Sequence, residues 1–369
     1  MNALPPLEKG SVFRSLVGKS LRIVGVCALL VLGVELAGQG LFRLKEGRWL
    51  FRGQPLPLYG YAFEQHPYLV GIPRSGGVLP LWGKKVTFTG NRTRWTGGST
   101  FGDDKIRVVC LGGSTTFGAY ASDDETWPAQ LQMLLGDRYA VYNYGMLGYT
   151  TAENIIQMAL LIPEIKPDIV VFYTGWDDIA NYHRFERSPD YVRHGFEQFE
   201  NLKILDRERT AFAERLADRS GTIRLIQFVK NSFGTQKAEP AEKTDVFTGP
   251  DLFVDHIYRR NLETLRELAF MHGSFALFVP QVLNETAFES GRTLRSRTPR
   301  LEDAAVPALM DHLNGQMKGL CDGTICEVVD DVDHVAWPSS YFVDEGHFNN
   351  EGGRAFAELM ARHIRARAR

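Results

Sequence analysis

The chain has 369 residues, of which 44% are hydrophobic and 23% are charged. This length is enough for one large α/β domain with an appendage, or for two domains. The formal net charge is -2 and no long basic run is interleaved with aromatic residues, so the sequence argues against a nucleic-acid partner.

An apolar stretch from Ile23 to Phe42 dominates the N-terminal region. At helical rise this stretch spans about 30 Å, the thickness of a bilayer core, so we predict a transmembrane helix or signal anchor over residues 23–42. A cleaved signal peptide and a helix lying on the membrane surface are the alternatives. Glu35 and Gln39 are costly in mid-bilayer but tolerable near its interface. Basic residues flank both ends of the apolar stretch, so charge determines its orientation poorly. We prefer a topology in which the tail of residues 1–22 stays inside and the main domain is exported.

Residues 43–104 follow as a lead-in arm, most of which is rich in Gly, Pro and aromatic residues. Within this arm, VTFTG followed by NRTRWTG predicts a small β-hairpin or an extended segment. We expect the arm to pack on the main domain, which we place at residues 105–369.

The stretch from Ile106 to Gly118, IRVVCLGGSTTFG, begins the main domain. Its β-branched, apolar first half predicts a buried parallel strand that stops at Gly112. Ser114 then lies on the turn at the carboxyl end of the strand, where ligands bind in open α/β sheets. An ordinary strand-to-helix turn, with Ser114 or Thr115 as the helix cap, is the alternative.

A second strand follows a helix over about Thr126–Leu135 and ends at Asn143. It opens into a loop that contains Gly145 and Gly148, where a backbone amide can point at a ligand oxygen. The alternative is that both glycines only form the turn and take no part in ligand binding or catalysis.

An amphipathic helix over Thr151–Ile165, broken by Pro163, comes next. A third strand, IVVFYTGWDD, follows it and ends at a polar cluster from Gly175 to Asp178. The carboxyl ends of parallel strands share one edge of a sheet, so the three strand ends should converge. This convergence favours a functional site at that edge.

Residues 185–250 interrupt the alternation of strand and helix. They are rich in charged and aromatic residues and only weakly periodic, so we predict helical insertions whose charges lie on solvated faces. Inserts at this edge of a sheet often form a lid or a substrate wall.

The alternation then resumes. An amphipathic helix over Asp251–Met271 leads to a strand at Phe275–Pro280, and a helix over about Asp303–Leu320 leads to a fifth strand near Ile325–Val329. The predicted architecture is a mostly parallel sheet covered by helices on both faces.

Four cysteines are too few for a disulfide scaffold. Cys27 and Cys110 lie in apolar runs, where a buried thiol is ordinary. Cys321 and Cys326 suit a short disulfide loop in an oxidising compartment, or two free thiols, and their spacing does not resemble a zinc site. We expect neither a metal nor a cofactor.

Asp344 and His347 lie on the loop before an amphipathic helix that begins at about Asn350. A carboxylate three residues before a histidine can accept a hydrogen bond from Nδ1–H, which leaves Nε2 free to take a proton from a serine hydroxyl. With Ser114, these residues are the parts of a nucleophilic acyl-transfer site. A helix-capping Asp beside a surface His is the alternative.

Four stretches in this order resemble the motif blocks of the SGNH/GDSL hydrolase family, and the matched region covers about residues 105–366. The stretches are Gly112-Gly113-Ser114, Asn143 to Gly148 with Thr150, Gly175 to Asp178, and Asp344 to His347. The resemblance implies a three-layer α/β/α sandwich with a flavodoxin-like sheet, and metal-independent hydrolysis of esters.

The resemblance also implies a role for each matched residue. Ser114 is the nucleophile, His347 the base, and Asp344 the residue that orients it. The backbone amides of Ser114 and Gly148 are oxyanion donors, and Asp177 stands at the third oxyanion position.

Two positions depart from the family pattern. Gly113 stands where many members have Asp. Asp177 stands where the family has an Asn whose amide donates to the oxyanion, and an ionised carboxylate has no proton to give. Asp177 is either held protonated by burial and by Asp178, or turned away from the site, or the mark of an impaired site.

We therefore expect a membrane-anchored serine esterase that acts on an O-acyl ester of a cell-envelope glycan or lipid. An O-acyltransferase with the same triad and a catalytically impaired binding subunit are the rivals. The expected partners are the acyl-ester substrate and, through the N-terminal helix, the membrane.

Overall fold

The computed structural model of the protein describes residues 9–46, 49–52, 62–97, 104–202, 219–226, 245–289 and 300–367. The chain divides into two compact units. The first comprises Met1–Leu56 and Asp206–Lys243, and the second comprises Pro57–Leu205 and Thr244–Arg369. The predicted insertion therefore contributes to both units.

In the first unit, helix α1 runs from Lys9 to Glu46, and a 3-10 turn at Leu50–Arg52 follows it. The segment Lys19–Leu44 of α1 is long and apolar enough to cross a membrane by length and composition. A signal sequence near an N-terminus has the same properties. Among the described residues, this is the one helix of that kind, and it contains the apolar stretch that the sequence predicts as a helix.

Glu35 and Gln39 of α1 find partners within the first unit. The Glu35 carboxylate accepts hydrogen bonds from the amides of Gly221 and Thr222 at 2.7 and 2.9 Å. It also accepts from the hydroxyls of Ser220 and Thr222, each at 2.8 Å. These bonds offset the cost of a carboxylate in an apolar helix, and they attach this short piece of the insertion to α1.

The second unit begins with the arm, which forms two small antiparallel ladders. Strand β1 (Phe63–Glu64) pairs with β2 (Ile72–Pro73), and β3 (Gly77–Leu81) pairs with β4 (Lys84–Phe88). The β3–β4 hairpin turns at Trp82-Gly83 and has VTF in its second strand, and an antiparallel bridge between Phe88 and Arg94 pairs the end of VTF with the segment that follows it. The apolar side chains of the arm pack around Phe117 of the main domain.

Arg94 holds the arm in place. Its buried guanidinium donates to the carbonyl oxygens of Phe117, Gly118 and Ala121, just after the turn that carries Ser114. Burial lowers the pKa of Arg94 to about 10, although Asp123 acts in the opposite direction. Arg94 is therefore still charged at neutral pH, which strengthens these hydrogen bonds.

The core of the second unit is a five-stranded sheet. Its strands are β5 (Ile106–Gly112), β6 (Tyr139–Asn143), β7 (Ile169–Tyr173), β8 (Phe275–Val279) and β9 (Cys326–Val328). They pair in parallel in the order β6-β5-β7-β8-β9, which is the flavodoxin-like order. Every residue of β6 and β7 is buried, as uninterrupted apolar runs predict.

Helices cover both faces of the sheet. Within the described residues, the helices of the second unit are, in chain order, α2 (Ser114–Phe117), α3 (Trp127–Leu135), α4 (Thr151–Leu160), α5 (Val192–Leu202), α6 (Leu252–Met271), α7 (Glu285–Glu289), α8 (Val306–Asn314) and α9 (Asn350–Arg367). Helices α3 and α9 pack on the face that carries Val108 and Cys110, whereas α4, α6 and α8 pack on the face that carries Val109 and Leu111. The predicted three-layer α/β/α sandwich is confirmed.

The cysteines differ in state. Cys321 and Cys326 form a disulfide next to β9. Cys110 is a buried free thiol, whereas Cys27 is free and exposed on α1. The structure therefore selects the bridged alternative for the CDGTIC segment.

Candidate functional site

The carboxyl edge of the sheet presents Ser114. Strand β5 ends at Gly112, and Ser114 begins α2 two residues later. Gly112 has a φ of +155°, and a Cβ at this position would overlap the carbonyl oxygen of Tyr173. Glycine is therefore required where the turn leaves the sheet, and this tight turn sets the serine at its edge.

His347 connects Ser114 to Asp344 through hydrogen bonds. Its Nε2 lies 2.8 Å from Ser114 Oγ, and its Nδ1 lies 2.9 and 2.8 Å from the two carboxylate oxygens of Asp344. Because a carboxylate only accepts, Nδ1 carries the proton of a neutral ring, and Nε2 accepts from the serine hydroxyl. His347 is 1% exposed and Ser114 is 8% exposed, so water competes little for these bonds.

The loop before α9 fixes the Asp344 carboxylate. Its Oδ1 accepts from the backbone amides of Gly346 and His347 at 3.0 and 2.8 Å. Burial on its own raises the pKa of Asp344, but His347 and these amides outweigh burial and hold that pKa below its ordinary value. The carboxylate is therefore ionised at neutral pH and holds the imidazole in one orientation.

A pocket of about 380 Å³ opens beside Ser114 and His347. Gly148 and Asp177, the other two residues that the sequence placed at the site, also line this pocket. The structure thus brings four strand-end segments to one place: the turn after β5, the glycine loop after β6, the polar cluster after β7 and the loop before α9.

The two acidic residues after β7 have different surroundings. Asp178 is buried, and its carboxylate accepts from the hydroxyl and the amide of Thr151 at 2.6 and 3.2 Å. Burial raises the pKa of Asp178 to about 7. Asp177 instead faces the pocket and packs against Gly113, where a Cβ would overlap its Oδ2. Asp177 therefore stays at the site instead of turning away.

Sequence reasoning missed the aromatic wall of the pocket. Trp82 comes from the hairpin turn of the arm, and its ring centroid lies 5.1 Å from that of Tyr120. The Tyr120 ring stands edge-on to His347, with centroids 5.3 Å apart. Nothing in the sequence points from the arm to the site. Further lining residues come from the region after β7 and from α5: Trp176, Ala180, Arg184, Glu197 and Gln198.

A model of the GDSL-like Lipase/Acylhydrolase family matches residues 110–355. An acetylxylan esterase of Xylanibacter ruminicola is 38% identical over 84 residues, which are 21% of this chain and only 18% of that protein. Among solved structures, a GDSL-like lipase from Bacteroides thetaiotaomicron is 14% identical, and the match covers 73% of this chain and 92% of that one with a TM-score of 0.41. A lipase/acylhydrolase from Enterococcus faecalis is 15% identical, with coverage of 71% and 96% and a TM-score of 0.40.

The family match spans about two thirds of the chain, and it includes every residue that the sequence predicted for the site. It begins within β5 and ends within α9, so it covers the whole five-stranded sheet apart from the first residues of β5. The resemblance drawn from four short motifs is confirmed. The chain belongs to the GDSL-like lipase/acylhydrolase family.

Proposed function

We propose that the enzyme hydrolyses O-acyl esters, with Ser114 as nucleophile, His347 as general base and Asp344 as the residue that orients the imidazole. The 2.8 Å hydrogen bond between Ser114 Oγ and His347 Nε2 carries this proposal. A neutral imidazole that aims its free lone pair at a hydroxyl is the arrangement that a serine nucleophile needs.

The reaction proceeds in two halves. Ser114 Oγ attacks the ester carbonyl while His347 Nε2 takes its proton, and the same proton then passes to the leaving alcohol as the C–O bond breaks. Water next gives a proton to Nε2 as it attacks the acyl-serine, and the carboxylic acid leaves as Ser114 recovers its proton. In both halves the ionised Asp344 stabilises the imidazolium.

The backbone amides of Ser114 and Gly148 are the proposed oxyanion donors. Ser114 is the first residue of α2, and the first amides of a helix have no partner within the helix. Gly148 has a φ of +74°, a left-handed conformation that favours glycine and lets a substrate approach the backbone. Asp177 holds the third position, and its negative charge weakens the site without abolishing activity.

The pocket favours a small acyl group on a carbohydrate. Its volume of about 380 Å³ suits a compact ligand. Trp82 and Tyr120 add a rigid aromatic surface beside His347, with polar atoms at the ring edges. The acetylxylan esterase relative supports an acylated glycan as the substrate class.

We also propose that α1 anchors the enzyme as a single-pass protein with the hydrolase domain outside the cytoplasm. The apolar segment Lys19–Leu44 supports the anchor. The disulfide between Cys321 and Cys326 supports the location, because disulfides persist in oxidising compartments. From there the enzyme has access to acylated glycans of the cell envelope.

Labelling with a fluorophosphonate probe tests the nucleophile. We expect the full chain to react at Ser114 and to hydrolyse p-nitrophenyl acetate, and Ser114→Ala to lose the label and roughly 10⁴-fold or more of the turnover. Ser340→Ala, which removes an exposed hydroxyl, is the matched control and should behave as wild type. A wild-type chain that neither reacts nor hydrolyses the ester would sink the proposal in favour of a binding subunit.

A further inference from the structure

Helix α5, from the first part of the insertion, covers the glycine loop of the site. His194 of α5 is fully buried, and its Nε2 lies 3.1 Å from the carbonyl oxygen of Gly148. A carbonyl oxygen only accepts, so Nε2 donates. Burial, with Arg184 as a smaller contribution, lowers the pKa of His194 to about 4, so the ring is neutral at physiological pH and keeps one N–H for this bond.

Gln198 lies one helical turn beyond His194 on the same face of α5. Its side chain rests on Gly148: a Cβ at that glycine would lie 2.8 Å from Cγ, 3.0 Å from Cδ and 3.0 Å from Oε1 of Gln198. Gln198 also lines the pocket that holds Ser114. Its amide group is therefore at the pocket wall, beside the backbone donor that we assign to the oxyanion.

The charged side chains around Gln198 are engaged with one another or have no proton to donate. The guanidinium of Arg184 pairs with Glu197 and donates through Nε to the carbonyl oxygen of Ala180 at 2.7 Å. Asp177 as a carboxylate offers no proton. Among the described residues that line this pocket, Gln198 is the one carboxamide, and within the described part of the chain its amide makes no hydrogen bond.

We propose that Gln198 donates a side-chain N–H to the oxyanion of the tetrahedral intermediate and so supplies the amide donor that residue 177 lacks. This inference rests on the proposed function, because the oxyanion forms only when Ser114 attacks a carbonyl. His194 then positions α5 on the glycine loop, and Gln198 of this helix reaches the reacting atoms.

Gln198→Met tests the inference, because methionine keeps the length and most of the volume but has no N–H. We expect kcat for p-nitrophenyl acetate to fall by about 10- to 100-fold while KM changes little, since the donor acts in the transition state. In the Asp177→Asn background, where an amide returns to the third position, the same substitution should cost at most about threefold. This non-additivity is a readout that a merely structural role would not produce.

Phe196→Ala is the matched control, because Phe196 lies on α5 and is 63% exposed, away from the pocket. The kcat of Phe196→Ala should match that of wild type. The melting temperatures of Phe196→Ala and Gln198→Met should also match that of wild type. A kcat of Gln198→Met within twofold of wild type, or an equal loss in both backgrounds, would overturn the inference while fluorophosphonate labelling of Ser114 still upholds the proposed function. Absence of that label in the wild-type chain would overturn both.

Discussion

The carboxylate of Asp177 takes the space that a side chain at residue 113 would need. A Cβ on Gly113 would overlap Asp177 Oδ2 and would lie 2.9 Å from the carbonyl oxygen of Tyr149. The two departures from the family pattern are therefore coupled: glycine precedes the nucleophile, and the carboxylate packs against it. The effect of a substitution at residue 113 therefore depends on the side chain at residue 177, and the reverse also holds.

Asp177→Asn should raise turnover of p-nitrophenyl acetate at neutral pH by about tenfold or more. The substitution keeps the shape that fits Gly113, removes a negative charge next to the developing oxyanion, and adds an N–H donor. Steady-state kinetics at pH 7 to 8 measure the effect. Asp124→Asn, at an exposed position, controls for the change in net charge. An unchanged or lower rate would show that this carboxylate does not limit the site.

Single residues were predictable from sequence where a local motif carries the chemistry. Asp344 and His347 are three apart on one loop, and Ser114 follows a strand and two glycines, so short-range rules located all three. Trp82 and Gln198 reach the same pocket from the arm and from the insertion. Whether these two side chains line the pocket depends on long-range packing, which no periodic pattern in the sequence reveals.

At the level of elements, Asp178 joins the loop after β7 to the start of α4. Its carboxylate accepts from Thr151, whose hydroxyl also accepts from Asn261 Nδ2 of α6 at 2.9 Å. Burial is the main reason that the pKa of Asp178 rises to about 7, and Asp177 and Glu153 add repulsion. Between pH 4 and 7 the folded chain therefore holds a proton that the unfolded chain releases, so this residue makes the free energy of unfolding fall as pH rises.

Asp178→Asn should remove that part of the pH dependence. We expect the difference in unfolding free energy, variant minus wild type, to grow by roughly 1–3 kcal/mol between pH 4 and pH 8. Urea unfolding at several pH values measures this difference. Asp137→Asn, at an exposed position, should show no such trend. A flat difference for Asp178→Asn would mean that the folded protein does not retain the proton.

Secondary structure was predictable where burial or a helix cap sets the pattern. The strands β5 to β8 match their apolar runs, and α6 begins after Asp251, whose carboxylate accepts from the Phe253 amide. The predicted break at Pro163 is present, because α4 ends at Leu160 before a 3-10 turn that contains this proline. The sequence did not predict that α8 is shorter than its pattern and is flanked by 3-10 turns. The insertion has mixed polarity and a weak period, so its division between two units was beyond sequence reasoning.

For the whole molecule, charge alone does not orient the chain in a membrane. Lys19 and Arg22 stand at the start of the apolar segment, and Arg43 and Lys45 stand at its end. The positive-inside rule therefore gives no strong preference. In our proposal the disulfide between Cys321 and Cys326 supplies this asymmetry, because it lies in the second unit and disulfides persist in oxidising compartments.

Reporters fused after α9 should place the second unit outside the cytoplasm. We expect alkaline phosphatase fused at this position to be active, because it needs disulfides. We expect a green fluorescent protein that matures in the cytoplasm to show no fluorescence at the same position. In the same cells, acid-quenched protein should gain two alkylatable thiols on reduction, and the Cys321→Ser/Cys326→Ser double variant should gain none. Because Cys27 and Cys110 are free in either topology, they give the baseline for the count. A bright fluorescent fusion with no gain of thiols would place the hydrolase in the cytoplasm and remove cell-envelope glycans as its substrates.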